Sequence, residues 1–440
     1  MDSFATPPPA ATLSHRQRLR YILSGSAGNL VEYFDWAIYA AFALYFAPRF
    51  FPEGDQTAQL LNNAAIFAVG FVFRPLGGWL LGSLADRKGR KSALLLSVSL
   101  MCLGSLIIAC TPGYAAIGNW APALLLIARM LQGFSIGGEY GSSATYLSEM
   151  AGARHRGYYS SFQYVTIVLG QLLALGLLML LQRYLLSSDQ LHAWGWRIPF
   201  VVGGTLAVLA IWLRGNMAET AAFAASRRHP HRRTPLRELA RHPRAVFTVV
   251  ALTAGGTVSY YTFTVYMQKF LVNTSGFSKD DATLICSLGL LVFMALQPVF
   301  GLISDYIGRR TLLIGFGLGA TLFTAPLLSL LAAAHSVETA LGWYVCALLI
   351  TSGYSSVNAI VKAELFPVQI RALGVGFPYA LTVALFGGSA EYLALWLKSQ
   401  GHPEWFGYYV SGCAALALCV AIAMKEPLRS SALDCDDDAA

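Results

Sequence analysis

The sequence predicts an all-α membrane protein of twelve transmembrane helices arranged as two six-helix halves, and three observations carry that reading. The 440 residues are 56% hydrophobic and only 12% charged, with a mean hydropathy of +0.54. A soluble chain of this length would lack the polar surface to cover itself, so its main solvent is lipid. A short cassette also occurs twice: Gly82-Ser-Leu-Ala-Asp86-Arg87-Lys-Gly89-Arg90-Lys91 returns as Gly301-Leu-Ile-Ser-Asp305-Tyr-Ile-Gly308-Arg309-Arg310. Each copy joins two long apolar runs, so the repeated unit is a membrane hairpin with a charged turn. Finally, the interval from Glu149 to Arg156 is repeated from Glu364 to Arg371. Internal duplication of a membrane chain points to a transporter.

The spans follow in order, each near or above the ~20 residues that cross a hydrocarbon core. Span 1, Tyr21 to Ala47, comes after a polar, Pro-rich tail and Arg16, Arg18 and Arg20. It is too long for the core of a cleavable leader, and none is expected. Span 2 (Leu61 to Leu84) and span 3 (Ala93 to Thr111) flank the first cassette, and span 4 (Ala121 to Leu147) ends before Arg154 and Arg156. Span 5 (Tyr158 to Leu186) and the short span 6 (Arg197 to Leu213) complete the first half. Spans 7 and 8 (Ala245 to Leu271, Ala282 to Ile303) precede the second cassette, and spans 9 to 12 follow it: Leu312 to Ala333, Leu341 to Val361, Leu373 to Leu397 and Trp405 to Met424.

Lysine and arginine set the orientation. They gather before span 1, after spans 2, 4 and 8, and in the segment from Arg214 to Arg244, which adds six more arginines between those two; the alternate loops, such as Thr111 to Ala121, are nearly free of them. The positive-inside rule places both termini and the central segment in the cytoplasm. The expected organisation is a tail (1–20), a first half (21–214), a central loop (215–244), a second half (245–424) and a second tail (425–440). The central loop reads as a topology anchor near anionic lipid or as a regulatory segment, and the acidic run Asp434 to Asp438 as disordered. The net charge of +8 comes from these loops rather than one face of a soluble element, so no nucleic-acid partner is expected. The seven cysteines show no CxxC spacing, which suggests neither a disulfide framework nor a zinc site.

The two cassettes resemble the signature loop of the major facilitator superfamily, and Arg129-Met-Leu-Gln132-Gly133 resembles a second signature of it. Gly28-Asn-Leu-Val-Glu32-Tyr-Phe-Asp35 and Gly137-Gly-Glu139-Tyr-Gly141 resemble the metabolite:proton symporter family within it. The likeness runs from span 1 to span 12, including Ser160 to Thr166, Tyr261 to Lys269 and Phe386 to Tyr392. It implies a proton-coupled symporter of the bacterial inner membrane, working by alternating access, with no cofactor, no enzymatic activity and a monomeric state. The segments in spans 5, 7 and 11 imply a substrate such as 2-oxoglutarate or a similar dicarboxylate. Citrate, an aromatic acid, shikimate or a betaine-type osmolyte is the alternative within the family, and a non-transporting sensor the alternative outside it.

The residues also carry their own physical reading. In the cassettes, Gly82, Gly89, Gly301 and Gly308 permit a tight turn, while Asp86 and Asp305 can accept from helix N-terminal amides or from nearby arginines such as Arg87, Arg90 and Arg309. That would latch the halves together in one conformation; a plain charged turn is the alternative. The glycines from Gly133 to Gly141 have small-residue spacing that lets helices pack closely. Charges inside a span cost at least ~2.5 kcal/mol, so Glu32, Asp35, Arg74, Arg129 and Glu139 should face a cavity or a partner. Asp35 lies ~21 Å from the inner end of span 1 and Arg129 ~12 Å from the outer end of span 4, which are nearly coincident depths. They read as an ion pair, serving either proton coupling or structure, with Glu32 and Glu139 as further proton-coupling candidates and a substrate carboxylate as the alternative partner of Arg129. Arg74 can grip a substrate carboxylate or be neutralised by Glu139 at similar depth. Gln163, Tyr164, Gln171, Tyr260, Tyr261, Gln297 and Tyr379 supply polar groups in apolar runs. Singly each is a satisfied interhelical contact; as a set they make a midplane cavity.

Overall fold

The computed structural model describes residues 15–52, 56–151, 153–215, 219–220, 223–224, 235–426 and 433. The acidic run Asp434 to Asp438, most of both expected tails and half of the central loop lie outside the described residues. The described residues contain helices and connections but no strand. Among the described residues, eleven helices are long and apolar enough to cross a membrane: α2 within Gln56–Lys88, α3 Arg90–Cys110, α4 Trp120–Met150, α5 Arg156–Leu185, α6 Gly195–Gly215, α7 Pro243–Asn273, α8 Lys279–Ile307, α9 Arg309–Ala332, α10 Val337–Glu364, α11 Arg371–Lys398 and α12 Glu404–Ala423. The twelfth is α1, His15–Phe50, which at 36 residues has the length but is interrupted by polar Asn29, Glu32 and Asp35.

Most helices outrun the apolar runs that announce them. The α1 helix is already formed at His15, ahead of Tyr21, and α10 continues past Val361 to Glu364. Hydropathy stops at the first charges, whereas the helix continues because its peptide groups need intrahelical partners wherever water is scarce. The expected loop from Thr111 to Ala121 contains a helical turn, Tyr114–Ile117.

The duplication is visible in the packing. The α2 helix packs on α4 as α8 packs on α10; α1 packs on α5 as α7 does on α11; α3 packs on α6 as α9 does on α12. Between the halves, α2 meets α11 and, in the mirrored position, α8 meets α5. The α2–α4 contact is backbone to backbone: a Cβ on Gly133 would strike Gly70, and one on Gly137 would strike the Arg74 backbone. This is the close packing by small residues that replaces a hydrophobic drive in lipid. At each cassette the chain turns on a glycine with positive φ, 107° at Gly89 and 95° at Gly308, a conformation that L side chains rarely adopt. Single π turns widen α7 at Thr262–Tyr266 and α11 at Val383–Gly387. The outer surface is apolar, with Leu322, Phe323, Trp212 and Tyr408 exposed, as lipid contact requires.

Candidate functional site

At the basic face, each cassette aspartate caps a helix of the opposite half. Asp86 accepts from the backbone amides of Ala372 (3.1 Å) and Leu373 (2.9 Å) at the start of α11 and pairs with Arg90 at 3.2 Å. Asp305 accepts from Gly157 (2.8 Å) and Tyr158 (3.0 Å) at the start of α5 and pairs with Arg309 at 2.9 Å. Glu149 receives Arg90 through Nε (3.2 Å) and Nη2 (2.9 Å) and Arg371 of the other half at 2.9 Å. In the mirrored place, Glu364 lies 3.8 Å from Arg309. Two further carboxylates repeat the theme within each half: Glu219 accepts from the Arg90 and Lys91 amides at 3.1 and 3.2 Å, and Glu426 from those of Arg309 and Arg310 at 2.9 and 3.1 Å. Burial pushes the Glu219 carboxyl up, against the pull of the Thr220 amide, the Arg90 charge and the Lys91 amide. Negative charge on helix N-termini is stabilising and directional, so this face is held closed by contacts that must break together.

Nearer the middle of the helices, the structure rearranges the expected partners. Asp35 and Arg129 do not form a direct ion pair: Gln132 stands between them, accepting from Arg129 Nη1 at 2.6 Å and donating to Asp35 Oδ2. Gln132 is one turn beyond Arg129 on α4, so its amide reaches the carboxylate first. Asp35 also accepts from Ser105 at 2.5 Å. Glu139 does not neutralise Arg74; it is bound by Arg214 from the end of α6, with one bond at 3.0 Å. Glu32 accepts from Ser135 at 2.6 Å and Ser97 at 3.1 Å, away from either central arginine.

Arg74 and Arg129 both lie over Trp36, at 4.2 and 4.3 Å from its ring centre, and Arg74 donates to the Tyr261 hydroxyl at 3.2 Å. Its Nε and Nη2 have no hydrogen-bond partner among the described residues. Tyr164, Tyr260 and Tyr261 form an edge-to-face series at 5.5 and 5.7 Å, and Tyr379 stacks on Tyr140 at 3.6 Å, so rings of both halves meet here. Asn358 donates to Tyr140 (2.7 Å) and Tyr164 (2.8 Å), joining α10 to α4 and α5. Gln171 is half-buried, with an unpartnered Oε1 among the described residues. Gln163 is spent on Asn29 and Ser143, each at 2.9 Å, and Gln297 on Ser355 at 2.8 Å and the Phe293 carbonyl at 3.0 Å. These two glutamines knit their own halves instead of facing the other.

The sequence reading missed Trp36, the relay Gln132, Asn358 and the buried Lys362. Lys362 lies just beyond the apolar run of span 10, where its charge marks a boundary rather than an interior. Among the described residues, no group of His, Cys, Asp and Glu side chains could hold a metal ion. What the site offers is a cationic, phenol-lined contact region between two halves whose opposite face is latched.

Comparison with known proteins agrees with this architecture. The profile of the sugar (and other) transporter family matches residues 22–234 and again 225–427. The chain is 52% identical over 407 residues to the alpha-ketoglutarate permease of Escherichia coli (strain K12), covering 92% of this chain and 94% of that one. It is 35% identical over 412 residues to the citrate-proton symporter of Salmonella typhi, covering 92% and 93%. The fold superimposes on the proton:xylose symporter XylE bound to 6-bromo-6-deoxy-D-glucose with a TM-score of 0.79, at 18% identity and 96% and 99% coverage. The chain belongs to the sugar (and other) transporter family of the major facilitator superfamily.

Proposed function

We propose that this protein is a secondary active transporter that imports 2-oxoglutarate or a similar dicarboxylate together with protons. The observation that carries the reading is the charge balance of the buried centre. Glu139 is matched by Arg214, Asp35 is linked to Arg129 through Gln132, and Glu32 is held by the hydroxyls of Ser135 and Ser97, while Arg74 has no carboxylate partner among the described residues. A contact region between the halves with uncompensated positive charge suits an anionic substrate. The 52% identity to an alpha-ketoglutarate permease supports the same substrate class.

Coupling to protons follows from energetics. Carrying two negative charges inward against an inside-negative potential costs ~2.3 kcal/mol per charge per 100 mV, or about 4.6 kcal/mol. Two or more protons moving with the substrate offset it. Asp35 is the proposed proton carrier: it is fully buried and shares its charge with an arginine through one amide, so protonation releases Gln132 and changes how α1 sits on α4. Arg129, which stays charged, keeps the deprotonated form tolerable. Glu32 is the second candidate, and Glu139 holds α4 to α6.

The setting is the bacterial inner membrane, with the latched face and both termini cytoplasmic, the halves divided at residues 215–244, and a monomer as the working unit. The latched arrangement then closes the site toward the cytoplasm, and transport requires the Asp86, Asp305 and Glu149 contacts to open as the halves rock. Uptake of radiolabelled 2-oxoglutarate into proteoliposomes under an imposed proton gradient tests this. Accumulation abolished by a protonophore is expected; gradient-independent equilibration, or preference for citrate, shikimate or betaine, overturns the coupling or the substrate respectively.

A further inference from the structure

Lys362 lies on the last segment of α10, Asn358–Glu364, beyond the break at Ser356 and Val357. It is 1% exposed, and its Nζ has no hydrogen-bond partner among the described residues. The ammonium lies 4.0 Å from the centre of the Tyr379 ring and 5.3 Å from that of Tyr140. Ring faces offset only part of the cost of burying an ammonium. An anion offsets the rest.

Arg74 shows the same deficit from the other half. Only its Nη1 has a partner, the Tyr261 hydroxyl, and Nε and Nη2 have none among the described residues. Tyr379 links the two cations: its ring lies beside Lys362, and its phenol is among the electrostatic neighbours of Arg74, together with Tyr261. The buried carboxylates are committed elsewhere: Glu139 to Arg214, Glu149 to Arg90 and Arg371, Asp35 to Gln132 and Ser105, Glu32 to serine hydroxyls, Asp86 to Arg90, Asp305 to Arg309, and Glu364, on the same segment as Lys362, lies 3.8 Å from Arg309. Two unmatched cations thus flank one tyrosine cluster, one on α2 and one on α10.

We infer that Lys362 and Arg74 are the two ends of a dianion clamp, and this rests on the dicarboxylate reading above. One carboxylate of a short dicarboxylic acid is held by the Arg74 guanidinium and the other by the Lys362 ammonium, with Tyr261, Tyr379 and Tyr140 along the stretch between. The clamp explains selection by charge count. A monocarboxylate leaves one buried cation unmatched, and a third carboxylate would be set among phenols without a cation of its own. Because the cations belong to different halves, the substrate itself joins the halves, and only a ligand with charge at both ends does so.

The test uses the full-length protein in proteoliposomes and measures competition against labelled 2-oxoglutarate by unlabelled 2-oxoglutarate and by 2-oxovalerate, which has the same carbon chain without the distal carboxylate. Wild type should prefer the dicarboxylate by about tenfold or more. Lys362→Met should weaken 2-oxoglutarate binding about 10- to 100-fold. Binding of 2-oxovalerate should move less than about threefold, so that the preference collapses. Lys362→Arg should keep most of the preference. A Lys362→Met protein that discriminates as wild type does overturns the clamp. If that variant fails to reach the membrane, Lys362→Gln is judged by the same criterion. If wild type does not bind 2-oxoglutarate, the functional reading fails, and the criterion passes to whichever of succinate, fumarate or malate it binds; binding of none overturns both.

Discussion

Removing the charge of Asp86 should open the latched face. The carboxylate accepts two amide bonds from the start of α11, at 3.1 and 2.9 Å, and pairs with Arg90 at 3.2 Å, all across or beside the boundary between halves. Its side chain is 1% exposed, so solvent screens little of this. In Asp86→Asn one amide bond can persist on the carbonyl, while the charge and the second acceptor are lost. Losing a charge-assisted bond costs about 1.5–3 kcal/mol, and the weaker interaction with the helix terminus adds about 0.3–1 kcal/mol. A sum of about 2–4 kcal/mol shifts the ratio of closed to open molecules by roughly 30- to 700-fold. The assay is pulsed electron paramagnetic resonance between spin labels at Lys88 and Tyr306, which are exposed at the latched face on opposite halves. Wild type should give mainly the short distance and Asp86→Asn a dominant long one, with Asp305→Asn acting in the same direction. Identical distance distributions for wild type and Asp86→Asn would refute the assignment of the latch to these bonds.

Asp35→Asn should abolish accumulation driven by a proton gradient yet spare counterflow exchange, which needs only a loaded carrier to reorient; normal accumulation would transfer the role to Glu32. Arg129→Ala should lower membrane abundance by leaving Asp35 without its relayed cation, and adding Asp35→Asn should restore it, with a coupling of about 0.5–3 kcal/mol. Strictly additive losses would show that the Gln132 relay carries no energy. Gly137→Ala should lower thermal stability and weaken substrate binding together, because the new Cβ strikes the Arg74 backbone and must displace it. Loss of stability without loss of binding would separate the α2–α4 contact from the site.

Depth was legible in the sequence, and direction around the helix was not. Counting residues along spans 1 and 4 places Asp35 and Arg129 at one level, and the structure has them one amide apart. The same counting places Arg74 and Glu139 together, yet Glu139 faces α6 and meets Arg214, because the azimuth of a helix depends on packing that no single strand of text displays. The cassettes announced themselves by repetition, but the partners of Asp86 and Asp305 are backbone amides of Ala372, Leu373, Gly157 and Tyr158, which carry no residue signature. Lys362 was hidden for another reason. A lysine at the edge of an apolar run looks like a boundary marker, and only the extension of α10 to Glu364 brings its side chain among the tyrosines.

The most direct measurement is uptake of radiolabelled 2-oxoglutarate by purified protein in proteoliposomes, with the external medium more acidic than the lumen and a protonophore control. Concentrative uptake that the protonophore abolishes, and that unlabelled citrate, shikimate or betaine competes only weakly, is the predicted result. Uptake that never exceeds equilibration, or that citrate suppresses more strongly than 2-oxoglutarate does, would contradict it.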